Sequence, residues 1–261
     1  MAYKYFLKYA NNLKKNLYFL LVSPKNAIFA AKSAHKPADD VTNHFKDMNL
    51  NEKFVITINR ELGSGGRSIG DELAKRLNVP FYDKALIQGL KEKYELTTEE
   101  IERLKGQKHN WWADFKRSLK IMPNYAAPQI ISAKDAIPDF LITDDIFHSE
   151  TEILKGIAED DSCVIAGRSG FFVFRDHPNH LSILIQAKME NRISRLVEKR
   201  GITREEAQKI INEVDKGREN YVKKYTGRSR YDTRNYDIVL NADEHTRDEI
   251  VDLILGYIRK S

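Results

Sequence analysis

The chain has 261 residues, of which 41% are hydrophobic and 31% charged, an ordinary balance that argues against a disordered or a membrane protein. Residues 1–50 hold eight of the 43 basic and three of the 38 acidic residues, so the +5 net charge comes from this segment and the remainder balances at 35 each. We therefore expect no nucleic-acid and no membrane partner, since a nucleic-acid-binding role would rest on the basic segment alone.

Residues 1–52 are predicted to be a basic N-terminal extension and linker, and residues 53–261 a single nucleotide-binding domain. Met48 stands five residues before a strong strand pattern, so the functional protein could begin there and the preceding residues be dispensable. The one cysteine, Cys163, excludes an internal disulfide and favours a reducing compartment, which indicates a cytoplasmic protein. It lies in an apolar run and is predicted to be buried rather than reactive.

From residue 53 onward, strand patterns and helix patterns alternate. The β-branched run 54–58 predicts a buried strand, and Ile69, Leu73 and Leu77 predict a helix with one apolar face. Later strands are predicted at 163–166, 181–185 and 237–240, and helical patterns at 144–159, 189–224 and 246–259. The fold class is therefore α/β, a three-layer parallel sheet with helices on both faces. Residues 97–143 predict an insertion of helices and loops between the second and third strands.

The turn between the first strand and the first helix has the composition of a phosphate-binding loop. Its glycines let backbone N–H groups converge, and the helix dipole adds about half a positive charge. Arg60 and Arg67 bracket the turn and could donate to phosphate oxygens, although a tight turn with two solvated arginines would read the same way. The predicted ATP-binding residues of this turn are Gly63, Ser64, Gly65, Gly66, Arg67 and Ser68.

This turn departs from the usual phosphate loop, G-x-x-x-x-G-K-[ST]. That pattern would place its first glycine at Arg60 and its lysine at Gly66. Arg67 is the first cation after Gly66, so we expect it to replace part of the missing lysine's charge. Ser68 is the nearest hydroxyl for a magnesium ion.

The segments I-T-I-x-R-E-x-G-S-G-G-R and L-x-V-P-F-Y-D resemble the cytidylate kinase-like family, relatives of bacterial cytidylate kinase, and the similarity extends over about 53–258. The resemblance implies a nucleoside monophosphate kinase fold with a helical acceptor-binding insertion and a lid. It implies ATP and Mg²⁺ as cofactors, and CMP or dCMP as the favoured acceptor.

The resemblance also assigns acceptor-binding residues. The block Val164-Ile-Ala-Gly-Arg-Ser169 implies that Arg168 grips the acceptor phosphate, next to Ser169. A structural ion pair of Arg168 with Asp83 or Asp176 is the alternative. Cytidylate kinases usually have acids on either side of this Gly-Arg pair, where this sequence has Ala166 and Ser169, so the sequence departs from their pattern at positions tied to metal placement and cytosine recognition. Asp83 falls where the family meets the acceptor, and it could equally be the N-cap of the following helix.

Basic residues after the 181–185 strand resemble the arm that closes over ATP in these kinases. They are Arg192, Arg195, Lys199, Arg200 and, in Asp215-Lys-Gly-Arg218, Arg218. Arg192 and Arg195 are predicted to bind ATP, and Arg67, Arg168 and Arg218 to be catalytic. A solvated helix face would carry a similar density of charge.

Two functions follow from these patterns. The first is ATP-dependent phosphoryl transfer to a nucleoside monophosphate. The alternative is a catalytically weak nucleotide-binding or regulatory module that keeps the loop without its lysine. Measured turnover separates them.

Overall fold

The computed structural model of the chain describes residues 48–93, 95–105, 112 and 144–258. The predicted extension up to residue 47 and most of the predicted insertion lie outside these residues. Among the helices described, none is both long enough and apolar enough to cross a bilayer.

Five parallel strands form the central sheet in the order β2-β3-β1-β4-β5. The strands are β1 (Val55–Arg60), β2 (Phe81–Asp83), β3 (Cys163–Ala166), β4 (His180–Gln186) and β5 (Ile238–Asn241). The first strand is central, so the chain winds to one side of it for β2 and β3 and to the other for β4 and β5. In sheets of this kind ligands bind at the carboxyl ends of the strands, where the winding reverses.

Helices cover both faces of the sheet, as predicted. They are α1 (Gly66–Leu77), α2 (Lys84–Lys93), α3 (Thr98–Lys105), α4 (Asp144–Asp160), α5 (Gly170–Val173), α6 (Met189–Arg200), α7 (Arg204–Thr226) and α8 (Arg247–Ile258). One face packs against α1 and α8, and the other against α2, α4 and α7. The three-layer α/β prediction is confirmed.

The strands are buried because their apolar residues serve both cores. Ile56 and Ile58 of β1 pack on the face covered by α1, whereas Val55 packs on the opposite face. Cys163 also lies on this opposite face, fully buried, and burial raises the pKa of its thiol. The prediction of a buried core cysteine is confirmed.

The helical pattern predicted over 189–224 is two helices instead of one. The first ends at Gly201, which adopts a left-handed φ of 64°, and α7 begins with a capping box between Thr203 and Glu206. The two helices then pack against each other through Ile193, Ile211 and their neighbours. The break places the two arginine-bearing segments side by side.

The division of the chain at residue 53 remains a prediction, which truncation tests. Met48 is buried in the core, and the Asn179 amide holds Asn49 from both sides, so the domain's contacts reach back to residue 48. We expect a chain of residues 48–261 to keep the thermal midpoint of the full chain. A chain starting at Lys53 should be less stable, by about 1.5–3 kcal/mol for the lost burial of Met48. An equally large loss in both chains would show that residues 1–47 stabilise the domain.

Candidate functional site

The turn after β1 is a glycine-shaped loop at the carboxyl edge of the sheet. Gly63 and Gly65 have φ values of 83° and 86°, a region that glycine enters without strain. A β-carbon on Gly63 would lie 2.8 Å from the carbonyl oxygen of Arg192, so only glycine lets α6 approach this closely. Ser64 is buried inside the turn, where its hydroxyl donates to Glu61 O at 3.0 Å and accepts from the Gly66 N–H at 3.4 Å.

Several backbone N–H groups of this loop are left for a ligand. Within the described part of the chain, those of Gly63, Gly65, Arg67 and Ser68 donate to no protein acceptor. Gly65, Arg67 and Ser68 are exposed, and the first turn of α1 contains no acidic residue that would offset the helix dipole. The arrangement suits a phosphate group.

The carbonyl oxygens of the same loop are occupied by arginines. Arg192 Nε donates to Leu62 O at 2.8 Å, and Arg195 Nη1 donates to Gly63 O at 3.3 Å. Arg60 O accepts from two more guanidinium groups, those of Arg218 and Arg230. These contacts fix the loop backbone with its carbonyls engaged and its N–H groups open.

Asp215 of α7 joins these arginines to the loop. Its carboxylate pairs with Arg192 and with Arg230, lies 3.5 Å from Arg218, and accepts the Leu62 N–H at 3.1 Å. Asp215, Arg192 and Arg230 are buried, and Arg218 is half-buried. Glu61 is a second acid here, 3.5 Å from Arg192, and burial raises the pKa of its carboxyl. The carboxylates of Asp215 and Glu61 are therefore shared among several guanidinium groups, those of Arg192, Arg218 and Arg230.

The turn after β3 lies beside this loop and is conformationally strained. Gly167, Arg168 and Ser169 have consecutive φ values of 86°, 54° and 54°. Each non-glycine residue in this region costs about 1–3 kcal/mol, and such strain concentrates at ligand-binding sites. The Ser169 hydroxyl is buried and has no hydrogen-bond partner among the described residues.

The Arg60 side chain lies between the two turns. Its Nη1 would be 2.2 Å from a β-carbon placed on Gly167, so its guanidinium lies against that glycine. Burial and the nearby Arg218 and Arg230 lower the pKa of Arg60 to about 9, with Asp83 acting in the opposite direction. The side chain therefore stays charged at pH 7 in a surplus of positive charge.

The sequence of the domain identifies its protein family. The sequence model of the cytidylate kinase-like family matches residues 55–244, which include all five strands and both turns. The chain belongs to the cytidylate kinase-like family. A search of curated proteins found no match.

Solved structures are similar at the level of the fold. An uncharacterized protein from Eubacterium ventriosum ATCC 27560 is 24% identical with a TM-score of 0.56, covering 80% of this chain and 100% of that one. A shikimate kinase from Bacteroides thetaiotaomicron is 15% identical (TM-score 0.43; 79% and 98% covered), and a gluconokinase from Sinorhizobium meliloti 1021 is 14% identical (0.40; 80% and 93%). The first likeness supports the fold, and the other two are too distant to support more.

The residues predicted to bind the acceptor are engaged within the protein. Arg168 is buried, its Nη1 lies 2.7 Å from both Glu150 carboxylate oxygens, and its guanidinium lies 4.6 Å from the Tyr221 ring centroid. The sequence alternative of an ion pair for Arg168 is therefore found, but with Glu150 instead of Asp83 or Asp176. Asp83 accepts the Leu86 N–H at 3.0 Å and so caps α2, as its own alternative predicted.

Arg67 and Ser68 lie in the first turn of α1, where the sequence placed them. Arg67 is 60% exposed at its side chain, and its Nε donates to Asp83 Oδ2 at 2.6 Å. The cation expected to replace the missing lysine is thus already paired with the acid expected to meet the acceptor. Ser68 is exposed.

The arginines predicted for the lid lie against the loop. Arg192 is buried, and neither it nor Arg195 extends as a solvated helix face, because both bind loop carbonyls. Lys199 and Arg200 are exposed at the far end of α6. The two groups of basic residues, which look alike in sequence, therefore have different surroundings.

Three residues of the site escaped sequence reasoning. Arg230, Glu150 and Glu61 are all buried or nearly so, and each contacts an arginine or a loop group from a distant part of the chain. Their spacing in sequence carries no signal of this convergence. A buried charged side chain needs a partner, but the sequence does not show which of its charged residues are buried.

Proposed function

We propose that this chain transfers the γ-phosphoryl group of ATP to a nucleoside monophosphate, with CMP or dCMP as the favoured acceptor. The observation that carries the proposal is the pairing of two phosphate-suited turns at the point where the sheet reverses its winding. One turn offers open N–H groups and the other is strained, and arginines surround both. Membership of the cytidylate kinase-like family supports the same reaction class.

ATP would bind through the loop after β1. The N–H groups of Gly65, Arg67 and Ser68 would donate to phosphate oxygens, aided by the positive end of α1. Arg192, Arg195 and Arg218 would hold the loop in the receptive shape through its carbonyls. Arg67 could add a charge-assisted contact if it shared or exchanged its bond to Asp83.

The acceptor phosphate would bind at the strained turn after β3. Arg168 carries the family's role, and it would have to share Glu150 with the phosphate to perform it. The Ser169 hydroxyl, which has no hydrogen-bond partner among the described residues, could donate beside it. Asp83, at the end of the neighbouring β2, would bound the acceptor site from the other side.

A magnesium ion is part of the family's chemistry, and the donor set fits one carried in by the nucleotide. The described residues contain no cluster of three His, Cys, Asp or Glu side chains that could hold a metal by themselves. Mg²⁺ in such sites keeps several waters and binds mainly through substrate phosphates, so the Ser68 hydroxyl would suffice as a protein ligand. When bound, the ion would neutralise charge on the phosphates.

The chemistry asks little of the protein beyond position and charge. An oxygen of the acceptor phosphate attacks the γ-phosphorus, and the bond to the bridging oxygen of ADP breaks. The acceptor oxygen is already ionised at neutral pH, since the second pKa of a phosphate monoester is about 6, so no general base is required. Oriented arginines and N–H groups stabilise the charge that spreads over the transferring group.

A panel of acceptors tests the proposal. We expect ADP formation from ATP and Mg²⁺ to depend on a nucleoside monophosphate, fastest with CMP or dCMP. UMP, AMP, GMP and shikimate serve as comparison acceptors. ADP formation that occurs with shikimate and with none of the nucleoside monophosphates would contradict the nucleotide-acceptor assignment.

The alternative, a catalytically weak nucleotide-binding module, is favoured by Gly66 at the lysine position. It predicts that ATP raises the thermal midpoint of the protein while no acceptor in the panel is phosphorylated. Turnover at or above about 1 s⁻¹, the usual range of kinases, would contradict it.

A further inference from the structure

The side chain of Arg60 occupies the space above the start of α1 where the usual loop lysine begins. A β-carbon on Gly66, the lysine position, would lie 2.5 Å from Arg60 Cβ and 3.1 Å from its Cγ. A lysine at 66 and this arginine therefore cannot coexist in this conformation. The position of the Arg60 side chain therefore explains why residue 66 is glycine and not lysine.

The guanidinium of Arg60 lies where phosphates would meet. Arg60 is the last residue of β1. Its side chain extends against Gly167 of the strained turn, where it leaves room only for glycine. The two turns are adjacent because β1 and β3 pair in parallel, with Ile58 opposite Ala166. One turn is the proposed ATP loop and the other the proposed acceptor site.

Arg60 also forms no ion pair with a described acid, although Asp83 is near enough to favour its charged form. Within the described part of the chain its guanidinium makes no hydrogen bond and no ion pair, although Arg218, Arg230 and Arg168 are all close enough to repel it. A second donor of the cluster, Arg230 Nε, is fully buried and likewise has no acceptor there. Arg60 is half-buried and Arg230 fully buried, and charge withdrawn from water without a partner is costly, so the arrangement indicates that an anion completes the cluster.

We propose that the Arg60 guanidinium supplies, from the end of β1, the positive charge that the usual phosphate loop supplies from its lysine at the start of the helix. It binds oxygens of the transferring phosphoryl group between the ATP loop and the acceptor turn. Its planar fork engages two oxygens, where a lysine would act as a point charge. This role rests on the proposed function, but the anion site it describes is testable without turnover.

Thermal shift measurements on the full chain test the anion site. ATP and inorganic tripolyphosphate should each raise the midpoint of the parent, and Arg60→Met should lose most of both rises. Arg175→Met is the matched control, because Arg175 precedes the amino end of β4, at the opposite edge of the sheet, and should keep them. Equal rises in Arg60→Met and the parent, or no rise in the parent, would overturn the proposal.

The stability of the ligand-free protein separates a functional from a structural role. Removing an unpaired cation should not lower the midpoint of Arg60→Met, whereas a structural arginine would lower it. A clear fall in that midpoint would overturn the proposal. Arg60→Lys keeps the charge and should recover part of the ligand-induced rise.

Measurements of turnover test whether Arg60 acts in catalysis. Arg60→Met should lower kcat by on the order of tenfold to a thousandfold, because the charge on the transferring group loses a stabilising partner, and it should raise the KM for ATP in line with the lost thermal shift. If Arg67→Ala shows this loss and Arg60→Met does not, the cation is Arg67 and the proposal fails. If the parent transfers nothing but Arg60→Met still loses the tripolyphosphate effect, the anion site stands and the proposed transfer function fails.

Discussion

Replacing Gly65 with valine should abolish ATP binding while leaving the fold largely intact. A β-carbon at this position meets only Ile69 Cδ1, at 3.9 Å, so the protein has room for it. The same side chain would project from the exposed loop among the N–H groups that face the phosphates. The φ of 86° adds strain of about 1–2 kcal/mol, which a folded domain can carry. Calorimetric titration with ATP measures the loss.

Gly201→Val provides the control for backbone strain. Gly201 also has a left-handed φ, 64°, with nothing within 4 Å of an added β-carbon. It lies about 13 Å along α6 from Arg192, by the helical rise per residue. We expect this variant to lose comparable stability and to keep ATP binding. If both variants bind ATP as the parent does, the loop after β1 is not the phosphate site.

Asp215→Asn should cause the largest loss of stability of any single substitution at this site. The aspartate is the shared acceptor of Arg192 and Arg230 and also holds the Leu62 N–H. Removing its charge leaves the buried Arg230 without an acidic partner among the described residues and Arg192 with Glu61 alone, which costs about 3–5 kcal/mol. Urea unfolding followed by circular dichroism measures the free energy of unfolding directly.

Asp71→Asn is the matched control for Asp215→Asn. Asp71 pairs with Lys75 on α1, but both side chains are substantially exposed, so its loss should cost no more than about 1 kcal/mol. Similar losses for the two variants would mean that the Asp215 cluster is no more coupled than a surface pair. The ratio of the two losses therefore measures how far burial strengthens the arginine cluster.

Local sequence signals predicted the parts of the fold that depend on neighbours along the chain. The β-branched run of β1, the glycine turn and the apolar face of α1 were all readable, since each is set by residues within one or two turns. The break between α6 and α7 was missed although Gly201 and the Thr203 capping box mark it in the sequence. The apolar period continues across the break, and it outweighed these shorter signals.

The partners within the site were beyond sequence reasoning because they come from distant elements. Arg168 was given two candidate acids nearby in the predicted topology, yet its partner is Glu150, on the helix that precedes β3. Arg60 was recognised only as one of two arginines beside the loop. Its importance depends on its surroundings in space, where Gly167 and three other arginines lie close and, among the described residues, no acid forms an ion pair with it.

Phosphorus NMR of the full chain with ATP, Mg²⁺ and CMP tests the central claim most directly. We predict that ADP and CDP resonances appear together and in equal amounts, at a rate proportional to protein concentration. ADP with inorganic phosphate and no CDP would show hydrolysis instead of transfer. An unchanged ATP spectrum across CMP and the other nucleoside monophosphates would contradict the kinase assignment.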